Sequence, residues 1–439
     1  VDAAKFDDDL NFDTHGGSSP PCSINGGSGV LFFAKQKMLN CSGSQGLDYN
    51  DVAPTTWEWL GSDSMRAPNV EGGGGEEGFD SFIGGGAVGS PLGSFVGETI
   101  VPLDYLTLTD GCYVDWLNQG PEFTLIFNLT GFTLRNSFIQ CQPPVVVQAE
   151  SIEIDGSTFN AYGSTYFHFT EMVMNSYAQV GINVADLTLE GGFLQANDIL
   201  ASKGILTINI TGAITVNEGA SVIGKTVNIT CGTTFDLSGK IFSKNYLPSN
   251  SCSMPITQYD INVQCGEQIT IYEPAMVTGA SIYLASQHFL HMGGISTDGK
   301  GCSAGGGAGV GEYPQQYTTS CASGGGGHAG QGGPGNPYAV ATGGLIYPGM
   351  IGGYLTAGSG SGISNASTST SGGYGGGGGA IKIEVDVEIA VLGSISSDGE
   401  VGQGMQSPFC AIGGGAGGSV HIKAYEITSQ PDAVQAKIS

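Results

Sequence analysis

Arginine is nearly absent from the sequence, and basic residues as a whole are few. Arg66 and Arg135 are the only arginines among 439 residues, and Lys plus Arg total 13 against 39 Asp plus Glu, which gives a formal net charge of −26. Nucleic acids and anionic membranes are bound through clusters of Lys and Arg, so neither is a predicted partner. The simplest interpretation of the acidic excess is a solvated surface.

Long apolar runs are also missing. No stretch approaches the roughly 18 to 20 apolar residues of a membrane-spanning helix, so no span is predicted. The chain does not open with a basic segment followed by an apolar one, and we therefore expect Val1 to follow a removed signal or to lie inside a longer precursor.

Closely spaced cysteine pairs are absent too. None of the ten cysteines forms the Cys-x-x-Cys pattern of zinc and redox motifs. An even number of widely spaced cysteines instead predicts disulfides formed in an oxidising compartment. The disulfide candidates are Cys22, Cys41, Cys112, Cys141, Cys231, Cys252, Cys265, Cys302, Cys321 and Cys410.

Five Asn-x-Ser/Thr tripeptides support the same compartment. Together with the cysteines they predict a secreted, extracellular protein that has passed through a eukaryotic secretory route and carries covalent N-glycans. The predicted N-glycosylation sites are Asn40, Asn128, Asn209, Asn228 and Asn365.

What the sequence does contain is a succession of short β-branched strands. No window keeps a 3.6-residue apolar period, so little helix is expected. A unit of strand, Asp-Gly turn and glycine loop occurs at residues 279–299 and again at 379–399. A β-sandwich and a parallel β-helix both fit short strands, but the recurring unit and the lack of Asn-Gly hairpin turns favour the second. The predicted fold is all-β, a right-handed parallel β-helix with long glycine-rich loops.

Composition divides the chain into five parts. Residues 302–379 contain 28 glycines and few large apolar residues, so they cannot form a core of their own. They are either disordered or an ordered array joined through backbone amides, and a Cys302–Cys321 pair would pin them. The predicted parts are an acidic extended arm (1–26), a glycine-rich β module forming first coils or a cap (27–100), the β-helix (101–301), a glycine-rich insertion packed on it (302–379) and the final coils (380–439).

Chemistry-bearing patterns are weak. Trp57 and Trp59 alternate on a predicted strand, where they either cap a core or form a sugar-stacking platform. The spacing of His288 and His291 puts them on opposite faces of a strand, which disfavours a shared metal. No acid–base constellation stands out, so no catalytic residue, metal site or cofactor is predicted, and no enzyme. Calcium binding is conceivable from the acidic loops, but no ligand motif supports it.

The succession Gly279-Ala280-Ser281-Ile282-Tyr283-Leu284-Ala285, then Gly293-Gly294-Ile295-Ser296-Thr297-Asp298-Gly299 and a long glycine loop, carries a resemblance. It resembles the glycine-rich parallel β-helix modules of large secreted or cell-surface proteins of protists and algae, over about residues 265–428 and loosely over 27–100. The resemblance implies extracellular architecture of the flagellar-hair or fibril type and gives no catalytic residues to transfer.

The resulting functional hypothesis is an extracellular structural glycoprotein. It would be a subunit of a filament or of a cell-surface or flagellar appendage, with copies of itself or related structural subunits as partners through end-to-end or arm-mediated contacts. The alternatives are a carbohydrate-binding adhesin and an acidic-polysaccharide lyase or hydrolase.

Overall fold

A computed structural model of the chain describes about two thirds of its residues. These are residues 29–33, 38–42, 55–59, 65–66, 97–101, 103–109, 113–116, 123–141, 144–175, 182–184, 187–196, 198–201, 204–244, 254–311, 323–334, 342–348, 350–351, 354–362, 375–402, 413–428 and 437–438. The chain divides into two compact units, unit 1 (Val1–Ile214) and unit 2 (Thr215–Ser439).

Every regular element in these residues is a β-strand, which confirms the predicted all-β class. The described part of the chain contains no helix of the length and apolarity that a membrane crossing requires. Unit 1 contains β1 (Gly29–Phe33), β2 (Met38–Ser42), β3 (Thr55–Trp59), β4 (Met65–Arg66), β5 (Gly97–Val101), β6 (Tyr105–Thr109), β7 (Tyr113–Trp116), β8 (Phe123–Arg135), β9 (Phe138–Cys141), β10 (Val145–Asp155), β11 (Thr158–Ala161), β12 (Thr165–Asn175), β13 (Ile182–Val184), β14 (Leu187–Ala196), β15 (Ile199–Ala201) and β16 (Ile205–Ile210).

The strand β17 (Ile214–Val216) begins at the last residue of unit 1. Unit 2 continues with β18 (Ser221–Gly224), β19 (Thr226–Cys231), β20 (Thr234–Leu237), β21 (Lys240–Ser243), β22 (Ile261–Cys265), β23 (Gln268–Ile271), β24 (Met276–Thr278), β25 (Ser281–His291), β26 (Gly294–Ser296), β27 (Met350–Ile351), β28 (Tyr354–Leu355), β29 (Ala380–Val391), β30 (Ser394–Ser396), β31 (Ser419–Thr428) and β32 (Lys437–Ile438).

Unit 1 is built from two parallel ladders. The longer strands pair in the order β8, β10, β12, β14 and β16, with Val145 opposite both Leu125 and Thr165. The shorter strands β7, β9, β11, β13 and β15 form the second ladder. Antiparallel pairs occur near the start, between β1 and β2 and between β3 and β4. A repeat of about twenty residues therefore returns each strand to the same place in its ladder.

In unit 1, apolar and polar residues alternate along the strands, and the apolar side chains on the inner face form the core. Phe127, Val147, Phe167 and Leu189 occupy one register position on four successive strands, and all four are buried. Burial of each such side chain contributes about 1.5–3 kcal/mol, so one column of this kind is a large part of the driving force. Phe159 on the second ladder meets Phe167 edge-on, with ring centroids 5.1 Å apart, and joins the two ladders through the core.

Unit 2 uses the same parallel pairing of strands. The first half of β25 pairs in parallel with β22 and its second half with β23. β29 then pairs with β25, and β31 with β29. The short strands β18, β21, β24, β26, β30 and β32 form the accompanying parallel sheet, and β27 and β28 form a small antiparallel pair.

The predicted right-handed parallel β-helix solenoid is corrected by the strand pairings. In an open solenoid each coil contacts only the coil before and the coil after it. Here the pairings of the larger sheet return on themselves and close a circuit of eight parallel strands, with a further parallel sheet beside it. Closure arises where one long strand pairs with two strands on the same side, as β25 does with β22 and β23. The architecture is all-β with barrel-type closure, and the five predicted parts stay a prediction.

Candidate functional site

Six glycine-rich segments of unit 2 are bonded to one another through their backbones, and we call them the glycine bundle. Gly301 N donates to Gly377 O at 2.7 Å, and Cys302 N donates to Gly358 O at 3.0 Å. Bonds of this kind link segments far apart in the sequence, which agrees with the hypothesis of glycine segments joined through backbone amides. The bundle comprises residues 301–311, 323–334, 342–348, 354–362, 375–379 and 413–418.

Close approach of these backbones requires glycine. A Cβ atom on Gly377 would overlap the carbonyl oxygen of Gly358, and one on Gly326 would overlap the carbonyl oxygen of Ser359. At the exposed Gly330, by contrast, nothing lies within 4 Å of such an atom. The absence of a side chain is therefore a packing requirement inside the bundle and is not one at its exposed turn.

Two buried side chains link segments of the glycine bundle to one another. His328 Nε2 lies 3.0 Å from Thr356 Oγ1 and 3.5 Å from Ser419 Oγ. Burial lowers the pKa of His328, so its ring is neutral at pH 7. The Tyr347 hydroxyl donates to the carbonyl oxygen of Ala357 and accepts a bond of 3.0 Å from Ser359. Both side chains are buried.

The Ser–His proximity has no catalytic geometry. His328 and Ser419 are both buried, so a substrate has no access to the hydroxyl group. Ser419 Oγ also donates to the carbonyl oxygen of Thr356 at 2.7 Å, which occupies its proton. An activated nucleophile needs an exposed hydroxyl and a base within hydrogen-bond reach. The hydrogen bonds of His328 and Ser419 therefore have a structural role.

Two of the predicted disulfide candidates pair with each other. Cys231 and Cys265 occupy opposed positions of β19 and β22, and they form a disulfide with a Cα–Cα distance of 4.6 Å. Cys302, at the entrance to the glycine bundle, is buried and disulfide-bonded, while Cys141 is buried in unit 1. Cys22, Cys112, Cys252, Cys321 and Cys410 lie outside the described residues, and only the backbone of Cys41 is described.

β31 is an exposed edge strand. Its one strand partner in the described residues is β29. The inward positions Ile383 and Ile389 of β29 are 0% exposed, whereas Ile427, the partner of Ile389, is 64% exposed. Tyr425 in the middle of β31 is 89% exposed. β31 thus carries an apolar residue, Ile427, at a position that is buried in β29 but exposed in β31.

A tyrosine–carboxylate–lysine group lies on the outer face of β25 and β29. The Tyr283 hydroxyl donates to Glu384 at 2.7 Å, and Lys382 Nζ lies 3.2 Å from the same carboxylate. Lys382 also sits 5.3 Å from the centroid of the Tyr283 ring, and the Tyr259 ring stacks at 5.3 Å. Tyr283 is therefore covered on its faces by neighbours of its own chain, which leaves no free platform for a sugar.

The pKa values of this group follow from its contacts. Burial, and then the hydrogen bond to Glu384, hold the pKa of Tyr283 well above its usual value of 10. Burial raises the pKa of Tyr259 to about 12. The hydrogen bond from Tyr283 lowers the pKa of Glu384 despite partial burial. At pH 7 the arrangement holds two neutral phenols and a paired carboxylate, none of which is set to exchange a proton.

An open cavity of about 250 Å³ occurs on unit 1. Its titratable lining residue, Tyr166, donates to Glu190, and that bond raises the Tyr166 pKa to about 12. The phenol stays protonated and cannot serve as a base at neutral pH. The other lining residues carry neutral side chains: Thr124, Pro144, Val145, Val146, Ser164, Thr165 and Thr188.

The carboxylate of Asp298 accepts hydrogen bonds from the neighbouring Asp-Gly turn. It accepts a bond of 2.6 Å from the amide of Asp398 and one of 2.7 Å from Ser396 Oγ. The two Asp-Gly turns are thus stacked, in agreement with their interpretation as turn formers. No group of three or more His, Cys, Asp or Glu suited to a metal ion occurs in the described residues.

Three of the five predicted glycosylation sites fall on the outward faces of strands. Asn128 of β8 and Asn209 of β16 are exposed in unit 1, and Asn228 of β19 is half-buried in unit 2. The backbone of Asn40 lies in β2, and Asn365 is outside the described residues. Trp57 and Trp59 lie in β3, where only the backbone is described. The predicted sugar platform therefore stays a prediction.

His328 is a structural residue that the sequence did not indicate. His288 and His291 lie on opposite faces of β25, since His288 is exposed and His291 is buried. No sequence pattern gives a partner for a lone histidine, and the partners of His328 are 28 and 91 residues away. The tyrosines that interrupt the glycine runs were a usable signal, because a large side chain among glycines must lie against something.

No protein-family model matches the chain, and no curated protein or solved structure matches it either.

Proposed function

We propose that the chain is an extracellular structural glycoprotein, a subunit of a filament or of a cell-surface appendage. The glycine bundle is the observation that carries the proposal. Its segments are held by direct bonds between backbones, such as Gly326 N to Gly414 O at 3.0 Å. Cohesion of this kind needs no ligand, cofactor or substrate, and it suits a protein whose task is to keep its shape.

The titratable groups support the same proposal. In the described residues, the groups with shifted pKa values are packed in the core or paired on a sheet face, as for His291 and Tyr283. A catalytic site is expected to gather such groups in a cleft, with a nucleophile or base within reach of a substrate. A structural role accounts for their positions without further assumptions.

Glycosylation would add a constraint on assembly. Glycans at Asn128 and Asn209 would cover the outward face of the larger sheet in unit 1. Flat contact through that face would then be hindered, since a glycan is bulky and strongly hydrated. Contacts between subunits would be made through strand edges, whose unpaired amides and carbonyls can bind another chain.

Electron microscopy of the secreted protein at physiological salt tests the proposal, with a chelator-treated sample beside it. Ordered fibres with a regular repeat are the expected result, and their loss on chelation would add calcium as a component. Dispersed particles at high protein concentration would contradict it. Glycan binding lost in Trp57→Ala and Trp59→Ala would then favour the adhesin, and release of reducing sugar from an acidic polysaccharide would favour the lyase or hydrolase.

A further inference from the structure

The edge strand β31 carries a self-complementary sequence. Residues 422–427 read Ile-Lys-Ala-Tyr-Glu-Ile, so an isoleucine stands at each end, with a base inside one and an acid inside the other. Read backwards against itself, the segment places isoleucine opposite isoleucine and lysine opposite glutamate. Two antiparallel copies of β31 would therefore match at both ends of the segment.

The orientation of the side chains preserves this match. Ile422 lies opposite the inward Ile383, and Ile427 lies opposite the inward Ile389. The register of β29 and β31 shifts between Ala424 and Glu426, so both isoleucines face inward although five positions separate them. In the antiparallel alignment the isoleucines of the two copies meet on the inner face.

The charged residues fall on the outer face in the same alignment. Lys423 and Glu426 are both exposed. Lys423 lies opposite Glu384 of β29, and Glu426 lies opposite Glu388, which leaves two carboxylates side by side. In the antiparallel alignment the partner's Lys423 would face Glu426 and neutralise that pair, while the partner's Glu426 would face Lys423.

We propose that two copies of the chain form a two-fold symmetric dimer by antiparallel pairing of β31 with β31. The proposal deepens the proposed function, on which its biological sense rests, because it names the partner of one strand edge. A parallel, in-register pairing would put Lys423 against Lys423 and Glu426 against Glu426, which is unfavourable. The interface is isologous, so each Lys–Glu pair occurs twice. It also covers Tyr425 and Ile427, which are 89% and 64% exposed in the single chain.

Charge reversal with sedimentation velocity tests this dimer. The full chain is compared with Lys423→Glu, Glu426→Lys and the double variant that carries both. We expect the unaltered chain to dimerise, each single reversal to raise the dissociation constant at least tenfold because two like-charged pairs are created, and the double variant to recover dimerisation. Lys240→Glu is the matched control, since Lys240 is exposed on β21 and should leave the constant unchanged.

The outcomes separate this inference from the function. A chain that stays monomeric at every concentration, or a dimer indifferent to the single reversals, would overturn the β31 interface. Failure of the double variant to recover, with its circular dichroism spectrum unchanged, would do the same. Fibres that form equally well from Lys423→Glu would leave the structural function standing and remove this interface. A charge-sensitive dimer that never yields fibres would support the interface and count against the filament.

Discussion

The imidazole ring of His291 stacks on the ring of Phe289, with centroids 6.0 Å apart and an interplanar angle of 7°. Both side chains point into the core of unit 2, and the register neighbours of His291 are the apolar Ile271 and Val391. Neither ring nitrogen has a hydrogen-bond partner. Burial without compensation lowers the pKa of His291 to about 4.

This histidine makes stability depend on pH. The unfolded chain binds a proton on His291 near pH 6.5, but the folded chain does so only near pH 4, so the free energy of unfolding falls as the pH falls between these values. A pKa lowered by about 2.5 corresponds to a loss of about 3 kcal/mol. His291→Leu should remove this contribution, as measured by urea unfolding at several pH values from 7 to 4.

The same variant should also be more stable at pH 7. Two buried nitrogens without partners cost about 1–3 kcal/mol, and leucine has none. His288→Leu, at the exposed position three residues earlier, is the control and should change neither the stability nor its pH dependence by as much. A His291→Leu chain that loses stability on acidification as steeply as the unaltered chain would show that His291 is not the group responsible.

Glycine-to-alanine substitution should separate packed from open positions in the glycine bundle. Gly377→Ala places a methyl group on the carbonyl oxygen of Gly358, so we expect a loss of more than about 2 kcal/mol in the free energy of unfolding. Gly330→Ala meets nothing within 4 Å and should change stability by less than about 1 kcal/mol. Chemical unfolding of both variants gives the comparison, and equal effects would contradict the close backbone packing.

The phenol of Tyr283 should respond to the carboxylate that accepts its proton. Glu384→Gln removes the negative charge and the strongest acceptor, so the pKa of Tyr283 should fall towards 10 while staying above it, because burial remains. Titration of tyrosinate absorbance at alkaline pH measures the change. Glu388→Gln, which leaves Glu384 in place, is the control, and an unchanged Tyr283 titration in Glu384→Gln would argue against the bond.

Glycan occupancy should follow exposure along the outer face. Asn128 and Asn209 are exposed and Asn228 is half-buried, so we expect the first two to be more fully occupied when the protein is made in a eukaryotic secretory host. Mass spectrometry of glycopeptides before and after enzymatic deglycosylation measures the occupancy. Fully occupied Asn228 beside unmodified Asn128 would contradict this order.

The all-β class was predictable because alternation is a local property. Ile282 and Leu284 point inward from β25 as their spacing indicates, and the same holds for Ile381 and Ile383 of β29. The closure of the sheet was not predictable, since it depends on β25 pairing with two different strands along its length. The predicted solenoid was wrong for this reason: strand spacing is the same whether a ladder is open or closed.

The contacts of the glycine segments were only partly predictable. The glycine count excluded a separate core and left disorder or an ordered array joined through backbone amides as the two expectations. The partner of each segment depends on backbone positions that no side chain encodes, as in the bond between Gly378 N and Ala416 O. The place of His328 beside Thr356 and Ser419 likewise follows from chain paths that join at long range.

In the glycine bundle, hydrogen bonds between backbone amides do not by themselves fix the register of the segments. A glycine segment displaced by one residue presents the same chemical groups to its neighbour, so its bonds alone do not distinguish one alignment from the next. Tyr347 and His328 break this degeneracy, because each fits one place, against Ala357 and Thr356. The contacts of these two side chains therefore fix the register of the glycine segments. Without these two side chains the glycine segments could still form backbone hydrogen bonds, but in several registers. The protein would then be a mixture of closely related packings.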